Sequence, residues 1–116
     1  MKNKVLVVKD IINSGYAVAP EDGDLLYEQI ESVLKEGYSV EIDFKGIERL
    51  TTLFCNRSIA IWLKEHDSEW LNKIFSFSGL TEPSLERLKR SIEIARTRFA
   101  EDSDFEKTLD EELKDE

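Results

Sequence analysis

Apolar and polar residues alternate along this chain in stretches that predict β-strands separated by amphipathic helices. Residues 4–12 are mostly apolar and β-branched, and residues 16–19 follow a turn signal at residues 13–15. Together these stretches predict an N-terminal hairpin of two strands. Residues 38–44 alternate apolar and polar positions and predict a third strand. Residues 74–77 are apolar and aromatic at three of four positions, and they predict a fourth strand in the core.

Between these predicted strands, apolar residues recur at the spacing of an α-helix. An apolar repeat predicts a helix that begins near Pro20, and hydroxyl side chains predict helix starts near residue 51 and at Thr81. The helix that starts near residue 51 is expected to run to about Lys64. The apolar stripe of the last helix consists of Leu85, Leu88, Ile92, Ala95 and Phe99.

The order β-β-α-β-α-β-α predicts the α/β class. We expect one domain over residues 1–99 with a mixed, mostly parallel four-stranded sheet and helices packed on it. An acidic tail, residues 100–116, would follow and be partly helical or disordered. The 116 residues suit one domain, and the 41% of hydrophobic residues are enough for a core.

The negative charge of the chain is concentrated at one end. The formal charge is −9, and residues 100–116 hold nine acids against two lysines, so the preceding residues are nearly neutral. An acidic chain repels the phosphate backbone, so we expect no nucleic-acid partner.

Composition also bears on location. No apolar run approaches the roughly 18–20 residues that span a bilayer, and the apolar run at residues 5–8 is too short for a signal-peptide core. A single cysteine, Cys55, excludes an intramolecular disulfide framework. We therefore expect a cytoplasmic protein without a membrane partner.

The residues that usually carry catalysis are sparse. The five glycines are scattered and form neither a phosphate-binding loop nor a dinucleotide fingerprint. His66 is the single histidine and lies where a helix is expected to end, and Cys55 has no second cysteine with which to hold zinc. We expect no enzyme activity, no catalytic residue, no metal and no cofactor.

One strand–turn–helix segment, residues 40–56, carries the candidate site. It places Asp43 at the end of a buried strand, then a glycine turn, then Thr51 and Thr52 at a helix start, with Asn56 one turn later. A helix start concentrates N–H donors and partial positive charge, so it binds anions and accepts an added phosphate. Helix capping alone would also explain both threonines.

This segment resembles the STAS domain family of anti-sigma factor antagonists, and above all its STAS-like branch of unknown function. The resemblance rests on the strand end Ile42-Asp43-Phe44, then Gly46-Ile47, and the hydroxyls of residues 51–52. It implies a STAS-like domain that acts in regulation by partner switching. In that family a hydroxyl at this helix start is phosphorylated, and the resemblance places Thr52 at that position.

The chain departs from the antagonists at two positions. Thr51 stands where they commonly have Asp, and Phe54 stands where they have Gly. The STAS-like branch shares the second departure. That branch often accompanies histidine-kinase-like ATPases, so the resemblance implies a kinase-like ATPase or another regulator as the protein partner.

Three functions remain open. The first is a regulatory module that binds a protein through the helix start. The second is an inhibitor or antitoxin-like protein that acts through the acidic tail. The third is a small nucleotide-binding protein that uses Asp43, Thr51, Thr52 and Asn56 at the strand ends. The oligomeric state and the identity of the partner stay open.

Overall fold

Five short strands and five α-helices make up the part of the chain that the structure describes. The structure is a computed structural model that describes residues 2–115, with side chains from residue 2 to residue 99. The elements in chain order are β1 (Asn3–Val7), α1 (Val8–Ile12), β2 (Tyr16–Ala17), α2 (Pro20–Lys35), β3 (Ser39–Asp43), β4 (Arg49–Leu50), α3 (Thr52–Ser58), a 3-10 helix (Ala60–Lys64), α4 (Ser68–Ile74), β5 (Phe75–Ser78) and α5 (Glu82–Asp115).

The central sheet has β3 in the middle and is parallel throughout. Its order is β1-β3-β5, with Ile42 of β3 between Leu6 of β1 and Phe77 of β5. Val40 and Ile42 are fully buried, whereas Glu41 and Asp43, which alternate with them, are half-buried. The predicted alternation along this strand is therefore confirmed, and so are the α/β class and the parallel pairing.

The predicted N-terminal hairpin is wrong. β1 ends at Val7 and the chain turns directly into α1, whose C-cap Asn13 has a left-handed backbone with φ 55°. Val8 and Ile12 lie four residues apart and are both buried, so the apolar pattern that predicted a strand also fits one helical face. Each of the two strands then pairs in parallel with a later strand.

The predicted single four-stranded sheet is not what forms. Three strands make the central sheet, and β2 and β4 form a separate parallel pair in which Tyr16 stands beside Arg49 and Ala17 beside Leu50. Ala17 and Leu50 are fully buried. The small pair therefore still contributes to the core, and it leads the chain into α3.

The helix predicted from residue 51 to Lys64 is divided. α3 ends at Ser58, and the 3-10 helix follows after Ile59. The sequence interpretation also missed α4. The Asp67 side chain caps this helix by accepting a hydrogen bond from the Trp70 N–H at 2.8 Å.

α5 begins as predicted, because the Thr81 hydroxyl accepts a hydrogen bond from the Ser84 N–H at 3.3 Å. Leu88 and Ala95 of the predicted apolar stripe are buried in the core, whereas Leu85 is exposed. α5 continues without a break past the predicted domain boundary at residue 99. The side chains of the predicted acidic tail, residues 100–116, lie outside the described residues, so the prediction for the tail stays a prediction.

Candidate functional site

The start of α3 is held against the segment that leads into α2. The Thr51 hydroxyl accepts a hydrogen bond from the Phe54 N–H and donates one to the Val18 carbonyl, both at 3.2 Å. The Thr51 N–H also donates to the Ala17 carbonyl at 3.1 Å. Thr51 is therefore the N-cap of α3, and it also connects α3 to the β2 end of the small sheet.

Thr52 and Leu53 occupy the first turn of α3, and the Leu53 side chain is turned to solvent. Thr52 is half-buried, and its hydroxyl forms no hydrogen bond with the residues that the structure describes. Leu53 is 47% exposed, although the next residue, Phe54, is fully buried. An apolar side chain and an accessible hydroxyl are thus presented together at a capped helix start.

α2 approaches α3 closely behind this start. A Cβ atom added to Gly23 would lie 3.0 Å from the Phe54 carbonyl oxygen and 2.9 Å from the Arg57 Cβ. Both distances are shorter than ordinary contacts, so only glycine lets the two backbones approach this far. The start of α3 is accordingly supported by backbone packing as well as by its cap.

A charged pair on the surface joins the same two helices. Arg57 Nε and Nη2 donate to the two carboxylate oxygens of Asp24 at 2.9 Å and 2.7 Å. These hydrogen bonds hold the pKa of the Asp24 carboxyl below its usual value and raise the pKa of Arg57. Both side chains are about half exposed, so solvent screens the pair and it adds little to the stability of the fold. Its main effect is to orient α3 relative to α2.

Asp43 closes the turn after β3. Its Oδ1 accepts a hydrogen bond from the Lys45 N–H at 2.9 Å. Gly79, with φ 71°, lies so close that an added Cβ would stand 2.8 Å from Asp43 Oδ1 and would collide with the Lys45 nitrogen. The carboxylate of Asp43 is therefore engaged in the turn that follows β3, where it lies close to Gly79.

Asn56 is turned toward the last helix. Its Oδ1 accepts a hydrogen bond from the hydroxyl of Ser91, which is fully buried on α5. Of the four sequence-predicted site residues, the structure brings Thr51 and Thr52 together at the α3 start. It engages Asp43 and Asn56 in contacts that hold the fold.

Sequence reasoning missed three contributors to this site. Leu53 lies outside the apolar repeat of α3, so nothing in its spacing marked it. The bond from Thr51 to Val18 and the pair between Asp24 and Arg57 join positions more than thirty residues apart, and no local pattern indicates them.

Cys55 lies next to this site on the buried side of α3. Burial raises the pKa of its thiol to about 12, which keeps the thiol neutral and unreactive.

A second concave region lies at the start of α4. It is a surface cavity of about 560 Å³, lined by Leu63, Lys64, Glu65, His66, Asp67, Ser68, Glu69, Arg96 and Phe99. The Ser68 hydroxyl oxygen is buried and has no hydrogen-bond partner among the described residues. None of the four predicted site residues lines this cavity. Its charged groups are of both signs, so they do not select one class of ligand.

Over the described residues, no group of three histidine, cysteine, aspartate or glutamate side chains is placed to hold a metal ion. None of the helices described here combines the length and the hydropathy that a bilayer crossing requires.

Comparison with known proteins gives one match. A family model described as "STAS-like domain of unknown function (DUF4325)" matches residues 22–85. The matched span runs from the first turn of α2 to the first turn of α5 and includes β3 and the α3 start. No curated protein and no solved structure matches the chain.

Proposed function

The chain belongs to the STAS-like domain family of unknown function, and from that premise we propose that it is a non-enzymatic regulatory module. It binds a partner protein through the start of α3. The observation that carries the proposal is the exposure of Leu53, at 47%, in the first turn of a helix fastened at Thr51. A preorganised apolar side chain loses little conformational entropy on binding, so it suits an interface.

Phosphorylation of Thr52 is the proposed switch. The Thr51 hydroxyl already makes two hydrogen bonds, whereas the Thr52 hydroxyl makes none with the described residues, so Thr52 is the better acceptor of a phosphate. A phosphate adds a charge of about −1.5 to −2 at neutral pH. Beside Leu53, that charge would oppose burial of the apolar contact, and the partner would be released.

The proposed partner is a histidine-kinase-like ATPase or another regulator. This identification comes from the resemblance of residues 42–52 to the STAS family. The same proposal places the module in the cytoplasm, where a buried single thiol such as Cys55 stays reduced.

The alternatives receive less support from the described residues. Nucleotide binding would use the polar groups of Asp43, Thr51, Thr52 and Asn56, and all of these except Thr52 already bond to protein groups. An inhibitor that acts through its acidic tail would use residues 100–116, whose side chains lie outside the described residues. That function stays a prediction.

Affinity purification with matched variants tests the proposal. The tagged chain is recovered from its own cells, and bound proteins are quantified by mass spectrometry for wild type, Leu53→Asp and Thr52→Glu. Leu25→Asp is the control for Leu53, because Leu25 is 44% exposed on α2. Ser32→Glu, at an exposed position of α2, is the control for Thr52→Glu.

We expect one protein to be depleted at least tenfold by both α3 variants and retained by both controls, which is a loss of about 1.4 kcal/mol or more. The dissociation constant of that protein, measured with purified components, should rise for both α3 variants and stay near the wild-type value for both controls. Equal recovery with Leu53→Asp and Leu25→Asp would remove the α3 start from the interface.

A further inference from the structure

β1 is an edge strand of the central sheet, and no other strand of the described residues pairs with its outer side. In the sheet it pairs only with β3. Just before β1, the Lys2 carbonyl accepts a hydrogen bond from the Ser39 N–H at 2.9 Å. Residues of a parallel strand alternate in the direction of their backbone groups, so Lys4 and Leu6 also bond toward β3. The residues whose backbone groups point outward are Asn3, Val5 and Val7.

The opposite edge of the sheet, at β5, is less open than the edge at β1. The N–H of Phe75, the first residue of β5, already donates to the Leu71 carbonyl of α4, so α4 occupies one end of that edge. On β1 the central residue, Val5, is 50% exposed, and Asn3 is exposed as well. β1 therefore carries the longer accessible edge of the central sheet.

The outward residues of β1 do not block the addition of another strand. Edge strands that stay single usually carry a proline, a bulge or charged side chains that keep other strands away. The outward residues of β1 are uncharged, and none of them is proline. The charge of β1 belongs to Lys4, whose ammonium pairs with Glu36 at 3.3 Å and lies over the ring of Tyr38. The chemistry that fits this edge is an extended backbone, which satisfies its donors and acceptors.

We propose that β1 pairs with β1 of a second copy of this chain, in antiparallel orientation, so that the two central sheets continue into one. The direction of the outward groups and full overlap of the strands set the register. Val5 then lies opposite Val5 of the second copy, and the two residues exchange N–H···O bonds. Each Val7 N–H meets the Asn3 carbonyl of the other copy. The pair is two-fold symmetric, so it closes and leaves neither copy with an open β1 edge.

A second copy is the occupant because β1 is its own complement in this register. The β-branched side chain of Val5 packs beside its counterpart, and Lys4 lies opposite Leu6, so no like charges are directly opposed. A single pairing event also covers two identical open edges at once. The strands are short, so we expect a dissociation constant in the micromolar range. β1 lies apart from the α3 start, and the inference does not rest on the proposed function.

Charged substitutions at Val5 test both the pairing and its register. Val5→Lys and Val5→Glu each place two like charges beside the symmetry axis, whereas an equal mixture of the two variants places opposite charges there. Val5→Pro removes an outward N–H and no bond to β3, so it blocks the edge while the sheet stays intact. Ile94→Lys and Ile94→Glu are the controls, because Ile94 is 45% exposed on α5. Mass is measured by analytical ultracentrifugation, and circular dichroism checks the fold.

We expect wild type and both controls to form dimers at tens of micromolar chain. Each Val5 variant alone should raise the dissociation constant at least about tenfold, and the mixture of the two charged variants should restore the dimer. Each chain carries a net charge of −9, so added salt should not weaken the wild-type dimer. A monomeric wild type would overturn the proposal, and so would a folded Val5→Pro chain that still dimerises or a mixture that stays monomeric.

Amide hydrogen exchange gives a second readout that the fold of one chain does not change. The Val5 and Val7 N–H groups should exchange rapidly in dilute samples and slowly in concentrated ones, because only the dimer covers them. The Lys4 and Leu6 N–H groups should be protected in both, because they bond to β3. Exchange at Val5 that is independent of concentration would show that no second copy covers the edge.

Discussion

The two halves of the segment from Thr51 to Lys64 differ in how far their apolar side chains are covered by the rest of the chain. The first half, α3, leaves Leu53 nearly half exposed at its start. The second half, the 3-10 helix, places Trp62 within an aromatic cluster that comprises Tyr27, Trp62, His66, Trp70 and Phe75. Other elements cover the second half, and none of the described elements covers Leu53 to the same degree.

The rings of the aromatic cluster pack against one another, and the indole N–H of Trp62 finds its hydrogen-bond acceptor within the chain. Trp62 stacks on Tyr27 of α2 with ring centroids 4.8 Å apart, and its Nε1–H donates to the Ser58 carbonyl at 3.2 Å. His66 stacks on Trp70 of α4 at 3.6 Å. A large aromatic surface thus contributes to stability here, while a single leucine at the other end stays exposed.

The largest expected effect is on the aromatic cluster. Trp62→Ala removes the stacked ring and its hydrogen bond, so we expect the free energy of unfolding to fall by about 3 kcal/mol. Leu53→Ala, the matched change at the exposed end, should change it by less than about 0.5 kcal/mol. Urea denaturation followed by circular dichroism measures both. Equal losses for the two variants would contradict the contrast between the two halves.

Alkaline pH should act on the buried side of α3. Burial raises the pKa of Cys55 to about 12 in the folded chain, whereas an exposed thiol has a pKa of about 8.5. The folded state therefore holds this proton more tightly. The resulting stability is fully present below pH of about 8.5 and is lost as the pH rises toward 12, by at most about 1.4 kcal/mol per pH unit.

The measurement for Cys55 is the free energy of unfolding at pH values of about 8 and 10.5, with Cys55→Ala as the control. We expect wild type to lose about 2 kcal/mol more than the control over this interval. A thiol reagent at pH of about 8 should label wild type only after denaturation. Rapid labelling of the folded chain would show that the thiol is accessible.

A smaller loss than those at Trp62 and Cys55 should come from the α3 cap. Thr51→Ala removes the acceptor for the Phe54 N–H and the donor to the Val18 carbonyl, so it should cost about 1 kcal/mol. Thr51→Ser keeps both groups and should lose less than half of that amount. If the two variants were equally unstable, the lost methyl group rather than the hydroxyl would account for the effect.

Much of the local structure was predictable because its signals are local. The alternation in β3, the apolar repeat of α2 and the capping hydroxyls of Thr51 and Thr81 act within a few residues of themselves. The sequence also contains the cap of α4 at Asp67, although no helix was predicted there. The family was likewise recognised from one strand–turn–helix segment and was confirmed by comparison.

Less of the candidate site was predictable. Thr51 and Thr52 could be placed at a helix start, and the structure distinguishes them by the contact of Thr51 with Val18. Asp43 and Asn56 had the chemistry of site residues, yet their partners, Lys45 and Ser91, engage them in the fold. Polarity and spacing show what a side chain can bond, but not which group it will meet.

The sequence by itself determined the class of most elements, since helix caps and apolar periods depend on near neighbours. Only the tertiary structure decided the partners. β1 pairs with β3, and β2 pairs with β4. The sequence could not show this, because every strand presents the same backbone donors and acceptors and these do not specify which strand will pair with it. The tertiary structure also decided that Leu53 stays exposed, because exposure depends on which distant elements pack over a position.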